Sequence, residues 1–337
     1  MAIYENITLE KGMYGQKGKS LTEVLEALDP TENYSGTALG KLDAFSRQLK
    51  RFNIRVSGPG SDCVEKFFQN SNSSALFPEY VSRAVQQGMN SVDILPNIVA
   101  TVTNIDGMDY RTVTSEPIND GNAFPEVAQS GEITSTAITT QANLVAMRKR
   151  GKMITSSYEA LRFQRIDLFT VILKQIGAYI ARAQLADAVD VLVSGDGNNN
   201  AAEVINAAGG VTYADLLNLW EALDPYSVNT LVAPVGMVKE VLNLAQMNDA
   251  VAGLNFAGTG NMVTPMGAKL LACAAVPEGK IIGLDKTCAL EMVQSGGVIT
   301  DYDKLIDRQL ERATVSCITG FAKIFAGAAK VLNTEIV

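Results

Sequence analysis

Between Asp167 and Val193 apolar residues recur every three to four positions: Leu168, Ile172, Ile176 and Ile180 fall on one helical face, and Leu185, Val189 and Val193 continue it. At ~1.5 Å per residue, roughly 27 residues make a rod about 40 Å long. Any fold this chain adopts has to be built around that rod. It is followed by Gly195-Asp196-Gly197-Asn198-Asn199-Asn200. A phosphate-cradling loop would follow a strand and precede a helix, whereas this one follows a helix. Read as a calcium loop from Asp196, it puts Ala201 where glycine is needed and Ala207 where glutamate is needed. A helix C-cap and turn is the better account.

Upstream of the rod the pattern is β, with Thr, Val and Ile alternating in Val99 to Val102 and in Ile133 to Thr140. The stretch between them, Glu116 to Gly131, carries Pro117, Asp120-Gly121-Asn122 and Pro125. Two strand-like arms around a long polar tip describe an extended hairpin, and a loop of that length inside a compact domain is usually functional. The returning arm, Ala137 to Thr155, contains Arg148-Lys149-Arg150-Gly151-Lys152. In a strand these cations alternate between two faces and do not form one patch, so a solvated strand or a partner's carboxylates suit them better than nucleic acid. Ser156-Ser157-Tyr158-Glu159 reads as a capping box opening a short helix.

The front of the chain reads as helical. Leu21 to Leu28 closes at Asp29-Pro30, and Leu39, Leu42, Phe45, Leu49, Phe52 and Val56 then form a narrow apolar stripe on a second helix. Ser57 to Ser61 and the polar Gln69 to Ser74 look like hinges. The stripe fits either its own domain or a neighbouring subunit. Beyond Asn200 the pattern becomes mixed: a helix over Tyr213 to Leu223 capped by Thr212, a buried strand over Asn229 to Val232, and a helix over Val235 to Met247. After the Gly-rich Ala252 to Pro265 come strands at Lys269 to Ala274, Lys280 to Gly283, Ala289 to Val293 and Val298 to Asp301, then a long pair at Leu310 to Ile318 and Ala322 to Leu332. Trp220, the one tryptophan, sits on an amphipathic helix and reads as core.

Composition now removes most chemistry. The chain of 337 residues has no histidine, which excludes Ser-His-Asp and Cys-His nucleophile systems and His-ligated metals. Cys63, Cys273, Cys288 and Cys317 form no C-x-x-C pair and read as buried thiols in a reducing compartment. Neither a secretory leader nor a membrane-length apolar run is expected. A net charge of −8 argues against gripping nucleic acid by counterion release. Acid pairs such as Asp301 with Asp303 and Glu116 with Asp120 are ordinary on solvated loops. No Walker A lysine, dinucleotide fingerprint or nucleophile elbow is present. With only 19% charged residues, the chain is expected to hide much of its surface against other chains. These observations describe an α+β building block without an active site and without a cofactor.

The order of elements resembles the major capsid protein of tailed double-stranded DNA phages, the Hong Kong 97-type fold. The motifs that carry the likeness are Ile154 to Leu161, Ala181-Arg182-Ala183-Gln184 on the rod, Ser194-Gly195-Asp196-Gly197, Leu231-Val232-Ala233-Pro234, Met266 to Leu270, Lys280 to Asp285, and Phe321-Ala322-Lys323-Ile324 to Val331. The resemblance implies an N-terminal segment and arm over 1–94, an extended hairpin loop region over 95–155, a peripheral domain with a spine helix over 156–210, an axial domain over 211–296 and closing strands over 297–337. It implies a structural protein that self-assembles as hexamers and pentamers into an icosahedral shell around packaged double-stranded DNA. Such a shell would form in the cytoplasm of a bacterial host, hold its DNA without specific binding, and meet portal, scaffold or decoration proteins. Encapsulins, cargo-filled nanocompartments, resemble the same fold and are the nearest alternative, with a carboxylate-dependent enzyme further away.

Assembly contacts are expected at the stripe Leu39, Leu42, Phe45, Leu49 and Phe52, and between Arg148, Lys149, Arg150, Lys152 and a neighbour's Glu116, Glu126 or Glu132. Some relatives cross-link a hairpin lysine covalently to a neighbour, but Asp109 to Met147 here contains no lysine. A front extension in relatives can be cut away as scaffold. The apolar stripe leads us to expect retention here, with Gln69 to Ser74 as the place a protease would use.

Overall fold

The structure, a computed structural model, describes residues 3–15, 20–115, 126–133, 138–157, 163–207, 209–248, 262–305, 307 and 310–335. The chain divides into two compact units, one of residues 1–92, 149–181 and 296–317, the other of 93–148, 182–295 and 318–337.

The first unit is mainly helical. Helix α1 (Leu21–Leu28) opens with a capping box in which Ser20 and Glu23 satisfy each other's backbone N–H. Helix α2 (Ala44–Arg51) is capped by Asp43. A single turn, α3 (Ser71–Ser74), is capped by Asn70 and leads into α4 (Phe77–Val92). The rod of the sequence is α5 (Ile166–Ser194), whose residues 166–181 belong to this unit. Phe45, Leu49, Phe67, Phe77, Tyr80, Val81, Val85, Phe169, Leu173 and Ile176 make one core with Val315. Within that core α4 and α5 meet backbone to backbone. A Cβ on Gly88 would fall 2.0 Å from the Lys174 carbonyl oxygen, and one on Gly177 would fall 2.0 Å from that of Val85. Strand β10 (Ile299–Leu305) runs antiparallel to the first part of β11 (Leu310–Lys323), from Ile299 opposite Ser316 to Leu305 opposite Leu310, and β4 (Arg148–Ser157) also pairs with β11.

The second unit carries a five-stranded mixed sheet in the order β5 (Glu203–Asn206), β12 (Ala329–Asn333), β8 (Lys280–Leu284), β6 (Thr230–Ala233), β7 (Lys269–Ala272). Every residue of β6 is buried, as its unbroken apolar run predicts. Helix α6 (Tyr213–Ala222), opened by a Thr212–Asp215 capping box, packs Leu216 and Leu219 with Leu231, Leu270 and Ile281, beside α7 (Val235–Leu242). A second strand group pairs β1 (Thr101–Ile105) in parallel with β9 (Leu290–Ser295), and β9 antiparallel with the end of β11. The hairpin is β2 (Val113–Ser115) paired with β3 (Ile138–Thr140).

Several expectations are corrected. The strand near Val99 is not a hairpin arm, because Thr101 to Ile105 pair with β9 and the ascending arm is β2. The expected face of α5 holds from Ile176 onward, with Ile176, Ile180, Leu185 and Val189 buried, but not in the first turns: Leu168 is 59% and Val171 62% exposed, with Ile172 and Tyr179 also exposed, while Ile166, Phe169 and Leu173 are buried. Both faces of this part of the helix are apolar, so spacing alone permits two registers. The buried register is the one that puts Phe169 beside Phe77 and brings Gly177 against α4. The helix bearing Phe45 spans only Ala44–Arg51, and Leu39 and Leu42 lie in turns before it. Helix α7 ends at Leu242. Strand β11 runs straight through Thr319-Gly320-Phe321, and the break falls instead between Ile324 and Ala328. Trp220 is 54% exposed and is not core. The expected hinges are pinned within the first unit: Arg165 donates to the carbonyls of Gly58 and Pro59, and Ser73 Oγ donates to that of Phe67. Ser156 and Ser157 end β4, and the short helix expected after them lies outside the described residues, as does most of the hairpin tip.

Candidate assembly site: the base of the hairpin

The hairpin continues below β2 and β3 toward its root in the second unit. Gln141 N donates to Thr112 O at 2.9 Å and Val145 N to Tyr110 O at 2.9 Å. One residue lies between the partners on one side and three on the other, so residues 142–144 bulge out of the ladder. A bulge bends its strand and re-aims the side chains beyond it. Here it delivers Asn143 to the turn that ends α5: Asn143 N donates to Asn198 Oδ1 at 2.9 Å and Asn143 Nδ2 to Gly197 O at 2.6 Å. Asn198 Nδ2 donates to Gln141 Oε1, and Gln141 Nε2 to Lys323 O, both at 2.8 Å.

The turn holds its own shape. Gly195, Gly197 and Asn199 take positive φ, a conformation that glycine and asparagine tolerate. Asn200 Oδ1 accepts from Asp196 N, and Asp196 Oδ1 from Asn198 N. The sequence reading of this stretch as C-cap and turn describes its backbone correctly but misses that it grips the hairpin.

On the ascending side the grip is a carboxylate. Glu291, on β9 and buried, accepts from the hydroxyls of Thr103, Tyr110 (2.8 Å) and Thr112. The sequence held one clue to it, an acid inside the otherwise apolar run Leu290-Glu291-Met292-Val293. Lys323 completes the root. Its backbone N–H donates to Asp196 Oδ2 at 2.9 Å, and its fully buried ammonium lies 3.4 Å from the Leu192 carbonyl in the last turn of α5. Burial pulls the Lys323 pKa down to about 8, against the opposing pull of the Asp196 carboxylate.

That depression has a measurable consequence. The unfolded lysine keeps its proton to higher pH than the folded one, so this group makes stability rise as pH climbs from about 8 toward 10.5. Lys323→Met removes the titration. Between about pH 7 and about pH 10, wild type should gain ~2 kcal/mol of unfolding free energy relative to the variant in denaturant melts. Parallel pH profiles for the two proteins would show that the ammonium is solvated.

The expected assembly residues are dispersed. Phe45 and Leu49 belong to the first unit's core, Phe52 packs against it, and Leu39 and Leu42 are half-buried. Within its own chain Arg148 pairs with α5, Nη1 with Asp187 and Nη2 with Asp190 at 3.6 Å. The reason is local: Asp187 and Asp190 lie on one face of α5, three residues apart, next to the start of β4. Lys149 and Lys152 are exposed and Arg150 is half-buried; Glu126 and Glu132 are exposed, and Glu116 lies outside the described residues. Among the described residues no cluster of acids, cysteines or histidines could hold a metal ion, and no helix is long and apolar enough to cross a membrane.

A long helix, a mixed sheet with an exposed tongue held by polar anchors, and a closing strand group define a structural protein of the Hong Kong 97-type capsid fold. A sequence profile described as "Phage capsid protein" matches residues 140–308, half of the chain, and the chain belongs to that family. No curated protein matches it. Among solved structures it is similar to the capsid of an empty GTA particle computed with C5 symmetry, at 18% identity and a TM-score of 0.53, covering 72% of this chain and 89% of that one. It is similar also to a virus-like particle from Pyrococcus furiosus, at 14% identity and a TM-score of 0.51, covering 76% of this chain and 98% of that one. At those identities the likeness is one of fold. The family makes the protein a structural component of a virion capsid.

Proposed function

We propose that the chain is a major capsid protein whose copies associate as hexamers and pentamers into an icosahedral shell enclosing packaged double-stranded DNA, assembled in the cytoplasm of a bacterial host. The observation that carries this reading is the exposed apolar surface on the hairpin's described residues in a member of a phage capsid family: Ile133 is 78% and Ile138 75% exposed, with Val113 and Leu144 also exposed. Apolar surface of that kind is covered by another subunit, and the exposed Leu168, Val171 and Ile172 of α5 offer a matching face. The acidic net charge suits a container that does not bind its contents.

Light scattering and negative-stain images of purified protein test the reading. Closed particles support it, and only monomers to tetramers under assembly-favouring conditions reject it. Nuclease-protected DNA inside phage-derived particles distinguishes a genome shell from a cargo-filled nanocompartment, the reading that the similarity to the virus-like particle keeps in view. The N-terminal segment is retained, on this proposal, because its apolar residues build the first unit's core. Intact mass from particles should then stay near 36.0 kDa.

The basic run acts between subunits through Lys149, Arg150 and Lys152 toward acids such as Glu126 and Glu132. Lys149→Glu with Lys152→Glu should lower the salt concentration at which particles come apart, each surface pair being worth ~0.2 to 1 kcal/mol but repeated at every contact. Particles of unchanged salt resistance would assign these lysines to solvent.

A further inference from the structure

We propose that Glu291 and Asn143 are positioning residues that fix the direction in which the hairpin leaves the second unit, and thereby how it meets a neighbouring copy; the second half rests on the shell reading above. Packing cannot aim this tongue. Its root contributes Val145 to a small cluster with Val293 and Ala322, joined by the partly buried Tyr110 and Met147, while residues 138–140 and 142–144 are exposed. Direction therefore comes from hydrogen bonds, most of which fall into two groups on opposite strands, with a further bond from the Thr114 hydroxyl to Ile324 O at 2.9 Å.

On the ascending strand, one buried carboxylate takes the hydroxyls of Tyr110 and Thr112 together with that of Thr103 on β1. The connector 106–109 is thus tied at both ends to a single acceptor. Hydrogen bonds to a charged acceptor are the strong ones, and a buried donor that loses its acceptor keeps the full desolvation penalty. On the descending strand, the bulge is docked through both N–H groups of Asn143 on a turn that is itself fixed by Asp196 and Asn200. Releasing either anchor leaves the other, together with the Thr114–Ile324 bond, as a pivot, so the predicted defect is a change of angle with the unit intact.

Glu291→Gln keeps the shape of the side chain but replaces one acceptor oxygen by a donor, Asn143→Ala removes the side-chain half of the second anchor, and Thr112→Val removes one hydroxyl with little change in volume. Hydrogen exchange on the full chain should quicken about tenfold or more at residues 110–115 and 138–145, with β8 and β12 unchanged. In assembly, the same variants should give particles of altered diameter or incomplete closure, most severely in the Glu291→Gln/Asn143→Ala double variant. Wild-type exchange at the hairpin root, wild-type particles from all variants, or exchange that rises evenly across the unit would each overturn the proposal. A wild type that closes no shell overturns the shell reading and the assembly half of this proposal together. Failure of the positioning role alone looks different, with wild type closing and the variants closing like it.

Discussion

Asp29→Ala should cost the protein about 3 to 5 kcal/mol, because it leaves a buried guanidinium without its carboxylate. Arg47 and Asp29 are both fully buried; Arg47 Nε donates to Asp29 Oδ2 at 2.7 Å, Nη1 to Leu42 O at 2.6 Å and to Thr31 Oγ1 at 3.0 Å, and Nη2 to Asp29 O at 2.5 Å. Tyr34 donates its hydroxyl to Asp29 Oδ1 at 2.6 Å and lays its ring 4.6 Å from the guanidinium carbon. The pair joins α1 to α2 at the front of the first unit; a second carboxylate, Glu26, lies 3.9 Å from Nη2 but already accepts from Thr31 and from the Ala44 N–H, and it makes no hydrogen bond to the guanidinium. Adding Arg47→Met should recover a large part of the loss, since an apolar pair avoids the buried charge altogether. Chemical denaturation of the single and double variants measures both quantities. A single-variant loss below about 1 kcal/mol would show that solvent reaches Arg47.

Gly177→Ala should be comparably severe, at about 3 kcal/mol or more, although alanine by itself favours a helix by about 1 kcal/mol over glycine. The added methyl would sit 2.0 Å from the Val85 carbonyl oxygen and 2.8 Å from Met89 N, and these are backbone atoms of α4 that cannot rotate away. The two helices would have to separate and open the core around Phe77 and Phe169. Gly107→Ala, which meets nothing within 4 Å, is the control and should leave the midpoint unchanged. Thermal melts of the two variants side by side decide it, and equal midpoints would mean that the crossing is loose.

What could be read from the residues came from periodicity and local hydrogen bonding. The span of α5, the Thr212 cap and the buried β6 each announce themselves within one segment, because a helix face, a capping side chain and an apolar run are short-range signals. The face of the first turns of α5 was not legible, since Leu168 and Ile172 are as apolar as Phe169 and Leu173 and only the contacts with α4 choose between them. The hairpin root was less legible still. Thr112 and Glu291 stand 179 positions apart, Asn143 and Asn198 55, and hydroxyls and amides at such separations leave no pattern in a linear text. Arg148 illustrates the same limit from the other side: its charge was conspicuous, but the acids it meets within its own chain, Asp187 and Asp190 on the rod, were not.

The exposed indole on α6 has a use of its own. Because the chain contains one tryptophan, every tryptophan photon it emits comes from a single address in the mixed-sheet unit, half open to water before any neighbour arrives. A colour shift or quenching of that emission during particle formation is therefore a stopped-flow clock for the burial of this one surface, readable without a label and independent of the size of the particle being built.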